Sequence, residues 1–155
     1  MNNENTQKGL KSRAATKKLL VRFVTWINVV VYRLSGGRLI NKAEGGDICL
    51  VTMTGHKSGK QKTIALMYTA DGDNVLLVAS LGGAPQHPVW YYNLKAQPEI
   101  EIQLGAQKRK MLAREASSAE RQTLWPKVVA SYGSFDAYQK LTTREIPVFV
   151  CSPRN

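Results

Sequence analysis

Disulfide chemistry has almost nothing to work with in this chain, which holds two cysteines, Cys49 and Cys151, among 155 residues. No Cys and His cluster has the spacing of a metal-ligand set, so neither a disulfide framework nor a zinc module is expected, and a reducing cytoplasm fits best. Acidic side chains are also scarce, 11 Asp and Glu against 22 Lys and Arg. No pair of carboxylates stands out as acid and base, and Ser, His and acidic residues occur without a nucleophile elbow or a placed triad. Hydrolysis therefore loses ground. Long apolar runs are missing as well. The uncharged stretch from Phe23 to Tyr32 is about half of the roughly 20 residues that a bilayer-spanning helix needs. Arg22 interrupts the apolar region and Arg33 follows it without an Ala-x-Ala-like site, a poor match to a signal peptide, and no export is expected.

What is present is enough for one folded domain. Hydrophobic residues make up 43% of the chain and charged residues 21%, near globular averages, and the length suits a single core. The net charge of +11 is unevenly spread. Residues 1–43 carry nine basic side chains against Glu4 alone, while the remainder is nearly balanced. A basic arm on a balanced body points to an anionic surface as the arm's partner, with a membrane face or nucleic acid both open at this stage. Nucleic acid ranks last, because the aromatics are not interleaved with the basic arm as a stacking platform requires. Residues 1–18 read as a basic arm, and 19–155 as a single domain that includes an amphipathic helix over 19–34. That helix rests on Leu20, Phe23, Val24, Ile27, Val30, Val31 and Leu34, an i, i+3, i+4, i+7 stripe that either covers the core or lies in a lipid interface. Gly36 and Gly37 stop it, and Gly45-Gly46 marks a second turn.

From Asp47 the pattern becomes strand-like. Ile48–Thr54 is a β-branched, apolar run, and strands at Thr63–Thr69 and Val75–Ser80 flank an Asp71-Gly72 hairpin signal. Glu99–Leu104 alternates polar and apolar, with Lys110–Arg114 returning beside it after Gly105. Ser117-x-x-Glu120 reads as a capping box that opens a helix through about Ser131. Ile146–Cys151 reads as a last strand, with Pro147 at an edge or a strand start. About six strands with two hairpins and few helices predict an α+β protein built on a small antiparallel barrel with flanking helices.

Three groups carry candidate chemistry. The turn His56, Lys57, Ser58, Gly59, Lys60, Gln61 and Lys62 combines glycine, a hydroxyl and three lysines between two strands, the make-up of an anion cradle or of an exposed basic hairpin. It is not a Walker A loop, since Gly55 and Gly59 are too close and no helix follows. Ser80, Leu81, Gly82 and Gly83 leave a strand end and lead to His87 and to Trp90, Tyr91 and Tyr92. The glycines permit close approach of a ligand, and the aromatic faces either stack on a planar ring or fill the core. His87, before a proline, reads as structural. Tyr132, Phe135 and Tyr138 recur every three residues on one face, an aromatic wall whose hydroxyls either donate a proton to a substrate or reach water. Together these describe a phosphorylated planar cofactor that the protein positions.

At Thr52–Lys60 and again at Ala79–Pro98 the sequence resembles the deazaflavin-dependent nitroreductase family. The likeness runs from about Trp26 to Cys151 and includes Trp125-Pro126 and Arg144–Val148. The resemblance implies a flavin-reductase-like split β-barrel that binds coenzyme F420 and passes hydride to a quinone, a nitro compound or a similar electron-poor acceptor. It implies that His56–Lys62 holds the phosphate and glutamyl tail and that Ser80–Gly83 and Trp90 lie along the cofactor. It further implies that Ser80 orients substrate, that Tyr132, Phe135 and Tyr138 line the acceptor pocket, and that Tyr132 or Tyr138 donates the proton. An N-terminal helix with access to membrane quinones belongs to the same expectation, which leaves both a homodimer and a monomer at the membrane open. Leu81 stands where relatives commonly carry lysine, and Phe135 where the best-known member has tyrosine. The alternatives are an FMN-dependent oxidoreductase of the same fold and a non-catalytic cofactor or lipid carrier.

Overall fold

The computed structural model describes residues 29–37, 42–43 and 45–154. The arm expected over 1–18 and the first part of the helix expected over 19–34 lie outside these residues. Residues 29–35 are helical (α1). Gly36 and Gly37, at φ 57° and 78°, end the helix in a conformation that favours glycine. Val29 and Tyr32 pack on Ile48 and Leu50. The Tyr32 hydroxyl donates to the Ile48 carbonyl at 3.0 Å and accepts from the Gly105 N–H at 2.9 Å.

The strands are β1 (Lys42–Ala43), β2 (Gly46–Thr54), β3 (Gln61–Asp71), β4 (Asn74–Val78), β5 (Glu99–Leu104), β6 (Gln107–Glu115) and β7 (Val148–Pro153). All pairings are antiparallel, in the order β1-β2-β3-β4-β7-β6-β5. Because β5 also pairs with β2, through Leu50 opposite Gln103 and Thr52 opposite Glu101, the six longer strands close into a barrel. Closure leaves those strands no free edge.

Period-two alternation explains which sequences formed which strands. Cys49, Val51 and Met53 of β2 point into the barrel with Val75, Leu77, Ile100, Ile102, Met111 and Phe149. The intervening Ile48 and Leu50 face α1, so β2 is buried on both sides and reads as one apolar run. β4 and β7 do the same, because their outward residues Leu76, Val78, Val148 and Val150 form a second core. The helices over that core are α3 (Ser118–Ser131) and α4 (Ser134–Lys140). In contrast, β6 keeps Lys108, Arg109 and Lys110 in water. The helix α2 (Val89–Ala96) drives Trp90 and Leu94 into the barrel core, with the Trp90 ring 5.7 Å from that of Phe149.

The expected strands and hairpins are all present, with shifted ends. Pro147 immediately precedes β7, which lies between β4 and β6, so it marks a strand start. Half of the expected capping box forms: the Ser117 hydroxyl accepts from the Glu120 N–H at 3.2 Å. The Glu120 carboxylate instead takes both Arg114 guanidinium nitrogens at 2.7 Å. Both cysteines are free and buried in the barrel. Burial pushes the Cys151 thiol up to about 12 and Cys49 higher still, so neither is a thiolate nucleophile at neutral pH. No helix among the described residues is long and apolar enough to cross a membrane.

Candidate active site

A cavity of about 340 Å³ opens between β3, the end of β4, α2 and the α3–α4 junction. Its lining comes from β3 and the end of β4 (Ala65, Leu66, Met67, Val78), the glycine loop (Ser80, Leu81, Gly82), Trp90 of α2, and the aromatics Tyr132, Phe135 and Tyr138. Two of the three groups expected to carry chemistry, the glycine loop with Trp90 and the aromatic wall, thus meet at one hollow. Tyr132 caps the C-terminus of α3 in an extended conformation (φ −149°), and α4 begins after Gly133. The three aromatics therefore do not share one continuous helix. The chain turns between them, yet the rings still meet, Tyr132 against Phe135 at 5.0 Å and against Tyr138 at 6.3 Å. Their phenol oxygens lie 3.4 Å apart, within hydrogen-bond reach.

The glycine loop runs through three successive left-handed residues, Leu81, Gly82 and Gly83, at φ 46°, 62° and 80°. Gly83 is required there twice over. A Cβ at that position would sit 2.7 Å from the Tyr138 carbonyl oxygen and 2.9 Å from the Leu141 Cβ. Leu81 adopts the same region with a side chain, a strained choice, and stands half-exposed at the cavity rim.

The basic turn lies outside the cavity wall. Its backbone closes on itself, with the Gly55 N–H donating to the Lys60 carbonyl at 2.9 Å and the Gly59 N–H to the Gly55 carbonyl at 2.8 Å. The Ser58 hydroxyl is turned inward and accepts from the Lys60 N–H at 3.3 Å. Lys57, Lys60 and Lys62 are exposed. Gln61 faces elsewhere, donating to the Thr54 hydroxyl at 3.0 Å and lining a separate polar hollow with Thr52, Glu101 and Lys110. His56 is tied to the buried Asn93 of α2, whose Oδ1 accepts from the His56 backbone N–H at 3.0 Å and from Nδ1–H at 2.7 Å.

Between turn and loop run aromatic rings. His56 lies 6.1 Å from Tyr92, and His87 stacks on Tyr91 at 4.1 Å with an interplanar angle of 13°. Burial, then the charge of Arg144, lowers the His87 pKa, and Glu115 opposes the shift. Two residues near the site were not singled out from sequence: Asn93, which holds the basic turn to α2, and Arg144, which holds the glycine loop. Only contacts across 37 and about 60 residues of chain give them these roles, and local pattern carries no such signal.

An apolar slot with aromatic walls and a close-approach glycine loop suits a planar ring, and the exposed lysines of the basic turn suit an anionic tail. No group of three or more metal-ligating side chains occurs among the described residues. Fold and site together define a split-barrel oxidoreductase. The chain belongs to the F420H(2)-dependent quinone reductase family, whose model matches residues 24–153. It is 36% identical over 128 residues to an F420H(2)-dependent quinone reductase of Mycobacterium tuberculosis, covering 80% of this chain and 86% of that one. A solved structure described as an F420-H2 dependent reductase (FDR-A) matches at 40% identity and a TM-score of 0.64, covering 68% of this chain and 93% of that one. A second, described as a domain-swapped dimer, matches at 32% identity and a TM-score of 0.66, covering 91% and 99%. The cofactor of this family is coenzyme F420.

Proposed function

We propose that reduced coenzyme F420 lies along Ser80–Gly83 with its anionic tail toward Lys57, Lys60 and Lys62, and that a quinone is reduced in the cavity in front of Tyr132 and Tyr138. The observation that carries this reading is the convergence of Ser80, the left-handed glycine loop and two phenol hydroxyls on one apolar hollow. Bound reduced F420 supplies hydride, and the quinone must also take up a proton to leave as quinol. Tyr132 or Tyr138 donates that proton, and its neighbour at 3.4 Å is placed to replace it. The Ser80 hydroxyl orients the acceptor. Leu66, Met67 and the buried Phe135 give the acceptor an apolar wall. The exposed lysines act as point charges for phosphate and carboxylate groups, and Leu81 adds no cation to that set.

Parallel fluorescence titrations with oxidised F420 and with FMN test this. Saturable F420 binding near micromolar concentration or tighter, with quinone turnover by the reduced cofactor, supports the reading. Binding of FMN alone overturns it. Two coarser features go with it. The domain-swapped neighbour supports a homodimer, which sedimentation checks. The basic N-terminal segment favours a cytoplasmic enzyme that docks on an anionic membrane face, which pelleting with phosphatidylglycerol vesicles checks against loss on deleting residues 1–18.

A further inference from the structure

The guanidinium of Arg144 serves three chain segments at once. Nε donates to the Ala84 carbonyl at 2.9 Å, and Nη2 donates to the carbonyls of Ala79 at 3.1 Å and Ser80 at 2.9 Å. Nη1 lies 3.2 Å from His87 Nδ1. A guanidinium has no acceptor, so Nδ1 must accept, which holds His87 as the neutral Nε2–H tautomer. The backbone that carries Arg144 is pinned in turn. Its carbonyl accepts from Gln139 Nε2 at 2.8 Å, while Gln139 Oε1 accepts from the Ile146 N–H at 2.9 Å and from Arg121 Nη2 at 2.8 Å.

The direction of these bonds matters. Peptide planarity turns the Leu81 N–H away from the Ser80 carbonyl, and so away from Arg144. Ser80, Leu81 and Gly82 line the cavity, whereas Arg144 does not. We propose that Arg144 is a positioning residue for the reaction, holding the Ser80–Gly82 backbone so that the Leu81 N–H and the Ser80 side chain face the bound ring. The cofactor-facing part rests on the placement given under Proposed function; the loop-holding part does not. Lysine cannot replace it, because one ammonium cannot span four acceptors on three segments.

His87 makes the clamp sensitive to acid. The groups that face it are Arg144, Tyr91 and Tyr92 on α2, and Glu115 on β6. Its pKa is lowered from the ordinary 6.5, so the neutral acceptor form is intact above that value and is lost as pH falls through the lowered one. Protonation then removes the acceptor and sets two cations side by side.

The experiment measures amide hydrogen exchange of residues 79–84 in the cofactor-free, full-length protein, corrected for intrinsic rates, in wild type, Arg144→Lys and His87→Asn. Steady-state rates with reduced F420 and menadione accompany it. Arg144→Lys should exchange about tenfold faster in this loop with exchange in the barrel strands unchanged, and should lose about tenfold in kcat with little change in menadione KM. Wild type should loosen only as pH falls below 6.5 and through the lowered His87 pKa, and His87→Asn, whose amide oxygen accepts at every pH, should not. Wild-type exchange in Arg144→Lys overturns the clamp, and so does acid loosening that persists in His87→Asn. Faster exchange with unchanged kcat overturns the positioning role. If Arg144→Lys does not fold, the pH comparison between wild type and His87→Asn decides. Failure of wild type to bind F420 would sink the cofactor placement alone, since the exchange result is read without cofactor.

Discussion

Loop 80–84 and turn 55–60 both leave the ends of barrel strands and both rely on glycine, yet they are held in different ways. The loop has two backbone hydrogen bonds of its own, from the Gly83 N–H to the Ser80 carbonyl and from the Ala84 N–H to the Leu81 carbonyl. It is also bound heavily from outside, by Arg144 on three carbonyls and by α4, which approaches so closely that Gly83 admits no Cβ. The turn is bound mainly by itself, through two backbone hydrogen bonds and one inward hydroxyl, with the His56–Asn93 pair tying it to the body. A Cβ at Gly59 would meet open space. The difference separates two tasks. Orienting a reacting ring needs atoms fixed to fractions of an ångström, whereas attracting a charged tail needs only cations at roughly the right distance. Substitutions near the loop should therefore act on turnover and folding, and substitutions in the turn on affinity and salt dependence.

The largest effect should come from the wall that faces the loop. Tyr132→Phe keeps the ring contacts with Phe135 and removes the hydroxyl, and kcat should fall by about 10²-fold while the F420 dissociation constant stays within about twofold. Unchanged turnover would take Tyr132 out of the donor role and leave Tyr138. Next is Gly83→Ala. Its methyl meets a backbone carbonyl at 2.7 Å and the Leu141 Cβ at 2.9 Å, at a φ of 80°, so the loop must shift or the fold lose about 2 kcal/mol. Thermal unfolding should show the drop, and an alanine that is tolerated at both stability and turnover would mean that the loop is not fixed as the comparison requires.

How much of this was legible in the sequence follows the same division. A continuous apolar run exposed β2, alternation exposed β5, and the Asp71-Gly72 turn exposed the β3–β4 hairpin, because each of these signals is written in the segment's own residues. The Ser117 cap and the stops at Gly36 and Gly45 were legible for the same local reason. The basic turn was visible as a cluster of charges, though not that Gln61 turns to another hollow. The Tyr132–Tyr138 wall was visible as a spacing, though the break at Gly133 was not, since three-residue recurrence fits one helix as well as two that meet. Arg144 and Asn93 show no pattern. Arg144 was legible only as the start of a family-like segment, without a role, and only the folded chain brings it to Ala79, Ser80, Ala84 and His87. Closure of β5 on β2 was likewise invisible, because register across about 50 residues leaves no mark in either strand.

The turn gives the next, smaller effect. Lys57 and Lys62 are exposed, so each contributes about 0.5 kcal/mol to holding an anionic tail. Replacing both with alanine should weaken F420 binding about fivefold, with kcat at saturating cofactor unchanged and the salt dependence of binding reduced. An unaltered dissociation constant at low ionic strength would reduce the turn to solvated charge, and a fall in saturated kcat would erase the division of tasks drawn above.

The smallest effect tests whether strain in the loop has a use. A left-handed conformation costs a residue with a side chain about 1–2 kcal/mol, and glycine at the same place returns part of that through its freer unfolded chain. Leu81→Gly should therefore raise stability by only about 0.5 kcal/mol, or about 1–2 °C in Tm for a domain of this size. If Tm rises and turnover with a quinone falls, the leucine at the rim is kept for what its side chain does at the cavity mouth, and its strain is a cost of function. If Tm rises and turnover is unchanged, the position is strained without return, and fixing the loop belongs to Arg144 and Gly83 alone. A fall in Tm would show that Leu81 contributes more through packing than its φ of 46° costs, and would move it from the site to the scaffold.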